Sequence, residues 1–249
     1  MKVFLVAETR STPGMDAYLN HIDPDEKFER TGFSDSEDLA EIMGRLCYRS
    51  FSPGLNPNVT RTRKGNGPYL RNILRVDHGS VLEHAQVSFI FADVTRVFTH
   101  ELVRHRVGTA ISQESLRFVR LEEVKGWKPS CIERNIEAEG IFDEVFKYLS
   151  GVQKRLAEVY DLDNPEMDFR MKKEVSSAMR RMAPIGLETT IGWSANFRTL
   201  RHVILNRTDP SAEEEIRVVF DEVAQQVSLA YPAIFQDMMR TEDGQWKIR

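Results

Sequence analysis

Arginine and histidine side chains concentrate between residues 78 and 120. Four of the six histidines and five arginines lie there, with few acidic residues to balance them: His78, His84, His100, His105, Arg96, Arg104, Arg106, Arg117 and Arg120. A guanidinium group donates paired hydrogen bonds that suit phosphates and planar carbonyl groups. Nearby positive charge disfavours protonation of a histidine, so we expect His105, between two arginines, to be neutral. Together with the neutral side chains of Ser112, Gln113 and Ser115, these groups favour a small, planar, anionic ligand such as a nucleotide or a flavin.

A structural alternative exists for the Arg104-His105-Arg106 triplet. Cations at the C-terminal end of a helix are commonly stabilising, so the triplet is also typical of a solvated basic helix end. A second basic cluster surrounds the strand predicted at 187–194 and comprises Arg180, Arg181, Arg198, Arg201, His202 and Arg207. Arg198 and His202 are four residues apart and share a helix face. The glutamates at 213–215 could neutralise this cluster, so the residues alone leave an anion site and a set of ion pairs both open.

Other catalytic signatures are missing from the sequence, which contains no GxGxxG, GxxxxGK[ST], HExxH or GxSxG pattern. His78 and His84 have a spacing that a metal-ligand pair could use, but no further ligands cluster with them, and we predict no metal site. The two cysteines, Cys47 and Cys131, form no CxxC pair. One disulfide between them stays open, although a reducing cytoplasm is the expected location.

Composition is that of an ordinary globular protein, since 41% of the 249 residues are hydrophobic and 29% are charged. The net charge of −4 argues against a nucleic-acid partner. No apolar run reaches the roughly 18 residues that a membrane-spanning helix needs, so no membrane association is predicted.

Apolar periodicity predicts an α+β chain that forms a single domain over residues 1–249. Strands are predicted at 3–7, 85–94 and 187–194; helices at about 35–47 after a capping box at 34–37, and at 69–76, 95–107, 142–160, 170–182, 196–205 and from 211–214 to 231; loops at 51–68, 107–115 and 121–140.

At these residues the sequence resembles the flavin-dependent thymidylate synthases. The family pattern is Arg-His-Arg, a seven-residue spacer and Ser-x-Arg; here Arg104-His105-Arg106 precedes an eight-residue spacer and Ser115-Leu116-Arg117. The segments 45–48 and 78–84 are also similar to family segments. Further matching positions are Pro184, Thr189, Asn196, Arg198, His202, Arg207 and 215–217. The resemblance extends over roughly residues 35–235.

The resemblance implies an enzyme that methylates dUMP to dTMP, with FAD as cofactor, NADPH as reductant, methylenetetrahydrofolate as one-carbon donor and no cysteine nucleophile. It implies an antiparallel sheet flanked by helices and a homotetramer with shared active sites. Expected FAD contacts are Ser80, Arg104, His105, Arg106, Gln113, Asn196, Arg198 and His202. Expected dUMP contacts are Glu101, Leu102, Val103, Arg104, Gln113, Glu114, Ser115, Leu116, Arg117, Arg180 and Arg207. Arg207 is the expected catalytic residue, which polarises the uracil and favours ionisation at N3.

The sequence departs from the family pattern in the eight-residue spacer, in Glu101 and Glu213 where glutamine is usual, and in Phe118 where tyrosine is usual. These departures keep open a relative that acts on another pyrimidine nucleotide or installs a hydroxymethyl group. Two further alternatives are a nucleic-acid-binding module and a scaffold with degenerate sites; both predict a protein that binds no flavin.

Overall fold

The computed structural model describes residues 1–24 and 27–249. Its strands are β1 (Lys2–Glu8), β2 (Gln86–Thr95), β3 (Thr109–Gln113), β4 (Glu188–Asn196), β5 (Met238–Arg240) and β6 (Trp246–Ile248). Its helices are α1 (Pro13–Ile22), α2 (Asp35–Leu46), α3 (Asn66–Arg75), α4 (Arg96–Leu102), α5 (Ser130–Glu133), α6 (Ile136–Val159), α7 (Phe169–Met179), α8 (Phe197–Arg207) and α9 (Glu214–Ala230). Short 3-10 segments occupy Gly79–Glu83 and Arg180–Met182. In the described part of the chain no helix is both long and apolar enough to span a bilayer.

The central sheet has the strand order β1-β2-β4-β3, and β5 and β6 form a separate antiparallel hairpin. Contacts near both ends of each neighbouring pair of strands give their relative direction. For β1 and β2 these are Thr9 N to Gln86 O and Lys2 to Asp93. For β2 and β4 they are Phe197 N to Ala85 O and Arg96 N to Leu187 O, and for β4 and β3 they are Asn196 N to Gly108 O and Glu114 N to Thr190 O. Rising residue numbers on one strand therefore face falling numbers on its neighbour. The predicted α+β fold with an antiparallel sheet is confirmed.

The chain divides into two compact units. The first unit comprises residues 1–2, 90–104 and 111–192, and the second unit comprises residues 3–89, 105–110 and 193–249. The long strands β2 and β4 continue from one unit into the other. The boundary after residue 104 also assigns Arg104 to the first unit and His105 to the second.

The core of the second unit is aromatic. Trp193 on β4 lies against Phe89 and Phe220, with ring centroids 6.4 and 5.7 Å apart. Phe197, the first residue of α8, packs edge-on against Tyr231 at 4.7 Å. Phe197 belongs to the buried face of α8 together with Leu200 and Ile204. Aromatic pairs of this kind contribute beyond the area that they bury. Helix α8 also packs against α9 and the 79–83 segment.

The predicted capping box starts α2. Ser34 Oγ accepts a hydrogen bond from Glu37 N at 3.3 Å, and the Glu37 carboxylate accepts from Phe33 N and Ala233 N at 2.8 and 2.7 Å. Burial raises the pKa of Glu37, and the hydrogen bonds from backbone N–H groups act against this rise. The same carboxylate therefore caps a helix and ties it to the segment that follows α9.

The first unit contains the amphipathic helices α6, of 24 residues, and α7, of 11 residues. Asn135 caps α6 by accepting from Glu137 N and Ala138 N, both at 3.1 Å. Ala157 on α6 and Val175 on α7 belong to one buried cluster. Helix α4 begins after Thr95, whose hydroxyl accepts from the first backbone N–H groups of the helix.

Several predicted boundaries are wrong. Helix α4 ends at Leu102, so the triplet follows the helix, and β3 occupies part of the predicted 107–115 loop. Helix α6 starts at Ile136 because Asn135 caps it, and with α5 it takes up part of the predicted 121–140 loop. Helix α3 starts at Asn66 inside the predicted 51–68 loop, and Glu213 caps α9 where the cap was predicted at residues 211–214. Helix α1 and the β5–β6 hairpin had no prediction.

Candidate active site

A side-chain hydrogen bond in the second unit joins Arg207 to His105. Arg207 is the last residue of α8, and its Nε donates a hydrogen bond to His105 Nε2 at 2.7 Å. Because Nε2 accepts, it carries no proton, and the neutral ring keeps its proton on Nδ1. This geometry agrees with the expectation of a neutral imidazole between two arginines.

The segment 105–110, here called the histidine loop, is fastened to the first turn of α8. Asn196 caps α8 by accepting from Thr199 N at 2.9 Å, and its own N–H donates to Gly108 O at 3.0 Å. Thr199 Oγ1 donates to Val107 O at 2.8 Å. Gly108 has a φ of +68°, and a Cβ at this position would lie 2.3 Å from Asn196 Nδ2. Glycine is therefore required here by both backbone conformation and space.

His202 lies on α8 beside the histidine loop. Its ring centroid is 6.1 Å from that of His105, with the planes at 71°. Asn206 Nδ2 donates to His202 O at 2.7 Å and lies 3.2 Å from the ring nitrogens. Two imidazoles with different hydrogen-bond partners thus meet at the surface of one helix.

Arg198 connects α8 to the 79–83 segment. Its guanidinium pairs with Glu83, and its side chain passes over Gly79, where a Cβ would be 3.2 Å from Arg198 Nε. Ser80 follows directly and is exposed. The second unit therefore brings together the predicted cofactor residues that it contains: Ser80, His105, Arg106, Asn196, Arg198 and His202. Their exposed hydroxyl, guanidinium and imidazole groups suit phosphates and the edge of a heterocycle.

A second cationic site lies in the first unit, where Arg96 and Arg180 are close enough to repel. Burial and then the charge of Arg180 lower the pKa of Arg96, and Glu114 opposes this. One Arg96 amino group donates to Glu114 O at 3.2 Å. Its Nε is buried, and among the described residues it has no hydrogen-bond partner. The repulsion between two neighbouring guanidinium groups is offset when one anion binds to both of them.

The segment 113–117, here called the substrate loop, contains five of the expected dUMP contacts and is held in place by hydrogen bonds. Gln113 Nε2 donates to Thr99 Oγ1 at 3.2 Å. Glu114 pairs twice with Thr190 on β4, through its backbone N–H and through its carboxylate, both at 3.0 Å. Ser115 then begins a tight turn, because its carbonyl accepts from the backbone N–H groups three and four residues later, at 118 and 119, both at 2.9 Å. Arg117 is left exposed.

The other predicted ligand contacts of the first unit differ in exposure. Arg104 is exposed, whereas Glu101 and Val103 are half-buried. Leu102 is fully buried in the core. Its side chain is a packing group, so only its main chain is available to a ligand.

Arg96 is the site residue that the sequence prediction missed. It was counted in the basic stretch but assigned no role. A signal was available, because Arg96 follows the helix cap Thr95 directly. A cation in the first turn opposes the helix dipole, which favours negative charge there.

Other features of the described residues fall outside these clusters. A cleft of about 940 Å³ in the first unit lies between residues 122–126 and α6, and none of the predicted site residues lines it. No group of three or more metal-ligating side chains occurs in the residues described, and neither His78 nor His84 has metal partners among them.

Comparison with known proteins supports the family resemblance found in the sequence. A family model described as thymidylate synthase complementing protein matches residues 30–233. The flavin-dependent thymidylate synthase of Corynebacterium glutamicum is 34% identical over 215 residues, covering 83% of this chain and 81% of that protein. The enzyme of the same name from Mycobacterium tuberculosis is 36% identical over 202 residues, covering 80% and 78%.

A solved structure shares the fold. Thymidylate synthase X from Helicobacter pylori, crystallised with FAD and dUMP, aligns with a TM-score of 0.62 at 19% identity, covering 95% of this chain and 98% of that chain. With the sequence matches over four fifths of the chain, these findings identify the family. The chain is an enzyme of the thymidylate synthase complementing protein family, the flavin-dependent thymidylate synthases.

Proposed function

We propose that this enzyme converts dUMP to dTMP, with FAD as cofactor, methylenetetrahydrofolate as one-carbon donor and NADPH as reductant. The observation that carries the proposal is the Arg207–His105 hydrogen bond of 2.7 Å on a loop fastened to α8. This bond supports the proposal because it joins the predicted catalytic arginine to the histidine of the family triplet. The names of the curated relatives specify flavin and thymidylate synthesis.

The donor set of the second unit fits FAD. Exposed Ser80, Arg106 and Arg198 can hold the negatively charged pyrophosphate, and the neutral His105 can meet a ring edge without adding charge. Asn196 is 7% exposed and holds the histidine loop, so its contribution is to position the others. When bound, the flavin would supply the hydride and one-carbon chemistry. For Gln113 and Arg104, which belong to the first unit, the role as cofactor contacts stays a prediction from the family resemblance.

The first unit supplies a phosphate site for dUMP. Arg96 and Arg180 repel each other, and the dianionic phosphate of a nucleotide would relieve that repulsion. Ser115 and exposed Arg117 add a hydroxyl and a guanidinium from the substrate loop. Glu101, Val103, Glu114, Leu116 and the main chain of Leu102 are the remaining proposed contacts.

Arg207 is assigned to the uracil. A fixed guanidinium stabilises negative charge on a carbonyl oxygen and on N3, and this raises electron density at C5, where the new carbon is added. Its Nε is already engaged by His105, which orients the remaining amino groups of the fork. The protein thus provides orientation and positive charge.

No cysteine nucleophile is required in this proposal. Cys47 and Cys131 are both free and exposed, and Cys47 Sγ lies 3.8 Å from Met43 O of its own helix. Neither belongs to the two cationic clusters. Two free, exposed thiols also suit a reducing cytoplasm.

We also propose that the whole chain, residues 1–249, serves as one catalytic domain within a homotetramer that shares its active sites. The long helix α6 exposes apolar side chains that subunit contacts would bury; Ile136 is 89% exposed, Tyr148 69% and Val159 76%.

Product identification tests the proposed function. The purified chain is incubated with dUMP, methylenetetrahydrofolate, NADPH and FAD, and the nucleotide product is identified by mass spectrometry. Reactions that omit each component, and an Arg207→Gln variant, are the controls. The mass of dTMP is the expected result. A hydroxymethylated nucleotide, or a folded, flavin-bound protein that leaves dUMP unchanged, would overturn the proposal and indicate a different product or substrate.

A further inference from the structure

The β5–β6 hairpin contacts helix α8 at the residue that follows Arg207. Thr208 caps the C-terminal end of α8, and its Oγ1 accepts a hydrogen bond from Trp246 N at 2.9 Å. Both partners are buried, with Thr208 3% and Trp246 7% exposed. Thr208 Oγ1 also donates to Ile204 O at 2.8 Å, which closes the last turn of the helix. The hydroxyl therefore joins the hairpin to the turn that carries Arg207.

Further contacts hold the hairpin against the α8–α9 connection. Gln245 Nε2 donates to Asp209 Oδ2 at 2.9 Å. Asp221 on α9 accepts from the Trp246 indole at 2.9 Å and from both ends of the Arg240 fork at 2.7 Å. Each strand of the hairpin thus has its own attachment.

The base of the hairpin is attached to the middle of α8. Arg201 is 8% exposed and donates to both carboxylate oxygens of Asp237 at 2.8 and 2.7 Å. It also donates to Ile234 O at 2.6 Å. Helix α8 is consequently held at two levels by residues that lie beyond 233, where the family match ends.

These contacts act where a helix is least stable. The last turn of a helix has carbonyl groups without partners inside the helix and opens more easily than its centre. Arg207 lies in that turn and must keep its Nε within 2.7 Å of His105 Nε2. A buried hydrogen bond to the next residue restricts fraying at this point.

We propose that the β5–β6 hairpin is a positioning element for Arg207, and that the Trp246–Thr208 hydrogen bond is its principal contact. Thr208 and Trp246 act through Arg207, so they are positioning residues. The part of the inference that concerns dUMP binding rests on the proposed function of Arg207. The part that concerns the position of Arg207 rests on the contacts of the hairpin alone.

The decisive pair of variants is Thr208→Val and Thr208→Ser. Valine keeps the volume and removes the hydroxyl, whereas serine keeps the hydroxyl. Thr12→Val is the matched control, because exposed Thr12 precedes α1 and makes no side-chain capping hydrogen bond. Calorimetry of the FAD-loaded enzyme gives the Kd for dUMP, and crystal structures give the separation between Arg207 Nε and His105 Nε2.

The expected result is a Kd for dUMP that rises about tenfold in Thr208→Val, corresponding to the loss of one buried hydrogen bond, and stays near the original value in Thr208→Ser and Thr12→Val. The Arg207–His105 separation should lengthen in Thr208→Val alone. If the hairpin only stabilises the fold, Thr208→Val would lower the melting temperature but leave the Kd for dUMP and the Arg207–His105 separation unchanged. That outcome would overturn the inference.

Failure of the proposed function is distinguishable. If the unaltered enzyme does not bind dUMP, that assignment falls, and the Arg207–His105 separation in Thr208→Val alone decides the inference. If Thr208→Val does not fold, Gln245→Ala replaces it with the same two readouts, since this change removes the bond to Asp209 and keeps the buried hydroxyl. A separation and a Kd unchanged in Gln245→Ala would then overturn the inference.

Discussion

Arg207 Nε donates a hydrogen bond to His105 Nε2 across 2.7 Å, although the two residues are 102 positions apart in the chain. The bond fixes three properties of the site together. It keeps the imidazole neutral, it places the ring proton on Nδ1, and it restricts the guanidinium fork to one orientation. Catalytic groups accelerate a reaction when their orientation is set before the substrate arrives.

Arg207→Lys tests this orientation. Lysine keeps the positive charge but lacks the Nε donor and the planar fork. We expect kcat/KM for dUMP to fall about tenfold to a hundredfold, which is the range for losing a hydrogen bond to a charged group. Steady-state kinetics at saturating folate and NADPH provide the measurement. Arg134→Lys is the control, because exposed Arg134 donates to Ser130 at the start of α5 and belongs to neither cationic cluster. Equal kcat/KM in the two variants would show that charge alone suffices.

Gly108→Ala tests the attachment of the histidine loop. The new methyl group would lie 2.3 Å from Asn196 Nδ2, at a residue whose φ is +68°. The loop or the cap of α8 must then move, so we expect weaker FAD binding and a loss of stability on the order of 1–3 kcal/mol. Flavin fluorescence titration and thermal unfolding measure the two effects.

Gly67→Ala is the matched control for this substitution, because no atom lies within 4 Å of a Cβ at Gly67. We expect its FAD affinity and melting temperature to stay near those of the unaltered enzyme. Unchanged FAD affinity in Gly108→Ala would contradict a role of the histidine loop in holding the cofactor.

Local sequence signals predicted the elements that carry the site but not the contacts between them. The cap Asn196 and the helical spacing of Arg198 and His202 are local, so α8 was predicted to within two residues at its C-terminal end. Strand β3 was missed because its five residues show little alternation, and its pairing depends on β4, which lies far along the chain. The three-residue strands of the hairpin are too short for a periodic signal.

The repulsion between Arg96 and Arg180 was not predicted, for a similar reason. Each arginine was visible in the sequence, but burial and proximity are properties of the folded chain, and these lower the pKa of Arg96. The triplet could be assigned from the sequence because Arg-His-Arg followed closely by Ser-x-Arg is a family pattern within one short segment, although the spacer here is one residue longer.

Arg180→Gln should separate binding from stability. Removing this charge relieves Arg96, so we expect the free energy of unfolding to rise by a few tenths of a kcal/mol, as is usual for surface changes. The KM for dUMP should rise at least tenfold, because the phosphate loses one cationic partner. Urea unfolding and steady-state kinetics test the two parts. Arg134→Gln, which removes an exposed charge elsewhere in the first unit, is the control. An unchanged KM would exclude Arg180 from the phosphate site.

Replacing both cysteines tests the absence of a thiol nucleophile. Cys47 and Cys131 are free and exposed, and small polar or apolar replacements leave little cavity at such sites. We expect the Cys47→Ala, Cys131→Ala double variant to keep kcat within about twofold, because neither thiol belongs to the proposed mechanism. Product formation is measured by mass spectrometry, and circular dichroism confirms folding. A folded double variant without turnover would contradict the mechanism.

Alkaline pH should destabilise the chain through Tyr69. Tyr69 is 7% exposed, Arg45 lies over its ring at 4.4 Å, and burial raises the pKa of its phenol from 10.0 to about 12. Between these values the unfolded chain has lost a proton that the folded chain retains, so rising pH favours unfolding. The contribution is fully present below pH 10 and is lost as the pH approaches 12.

The Tyr69→Phe variant keeps the ring and removes the titrating group. Between pH 9 and pH 11 we expect its free energy of unfolding to fall by roughly 1 kcal/mol less than that of the unaltered chain. Burial also raises the pKa of Tyr231, so part of the alkaline slope should remain in the variant. Urea unfolding at both pH values gives the comparison, with Tyr148→Phe as the control for losing an exposed hydroxyl. If Tyr69→Phe kept the full alkaline slope, the phenol would ionise equally in both states, and its burial would not be what links stability to pH.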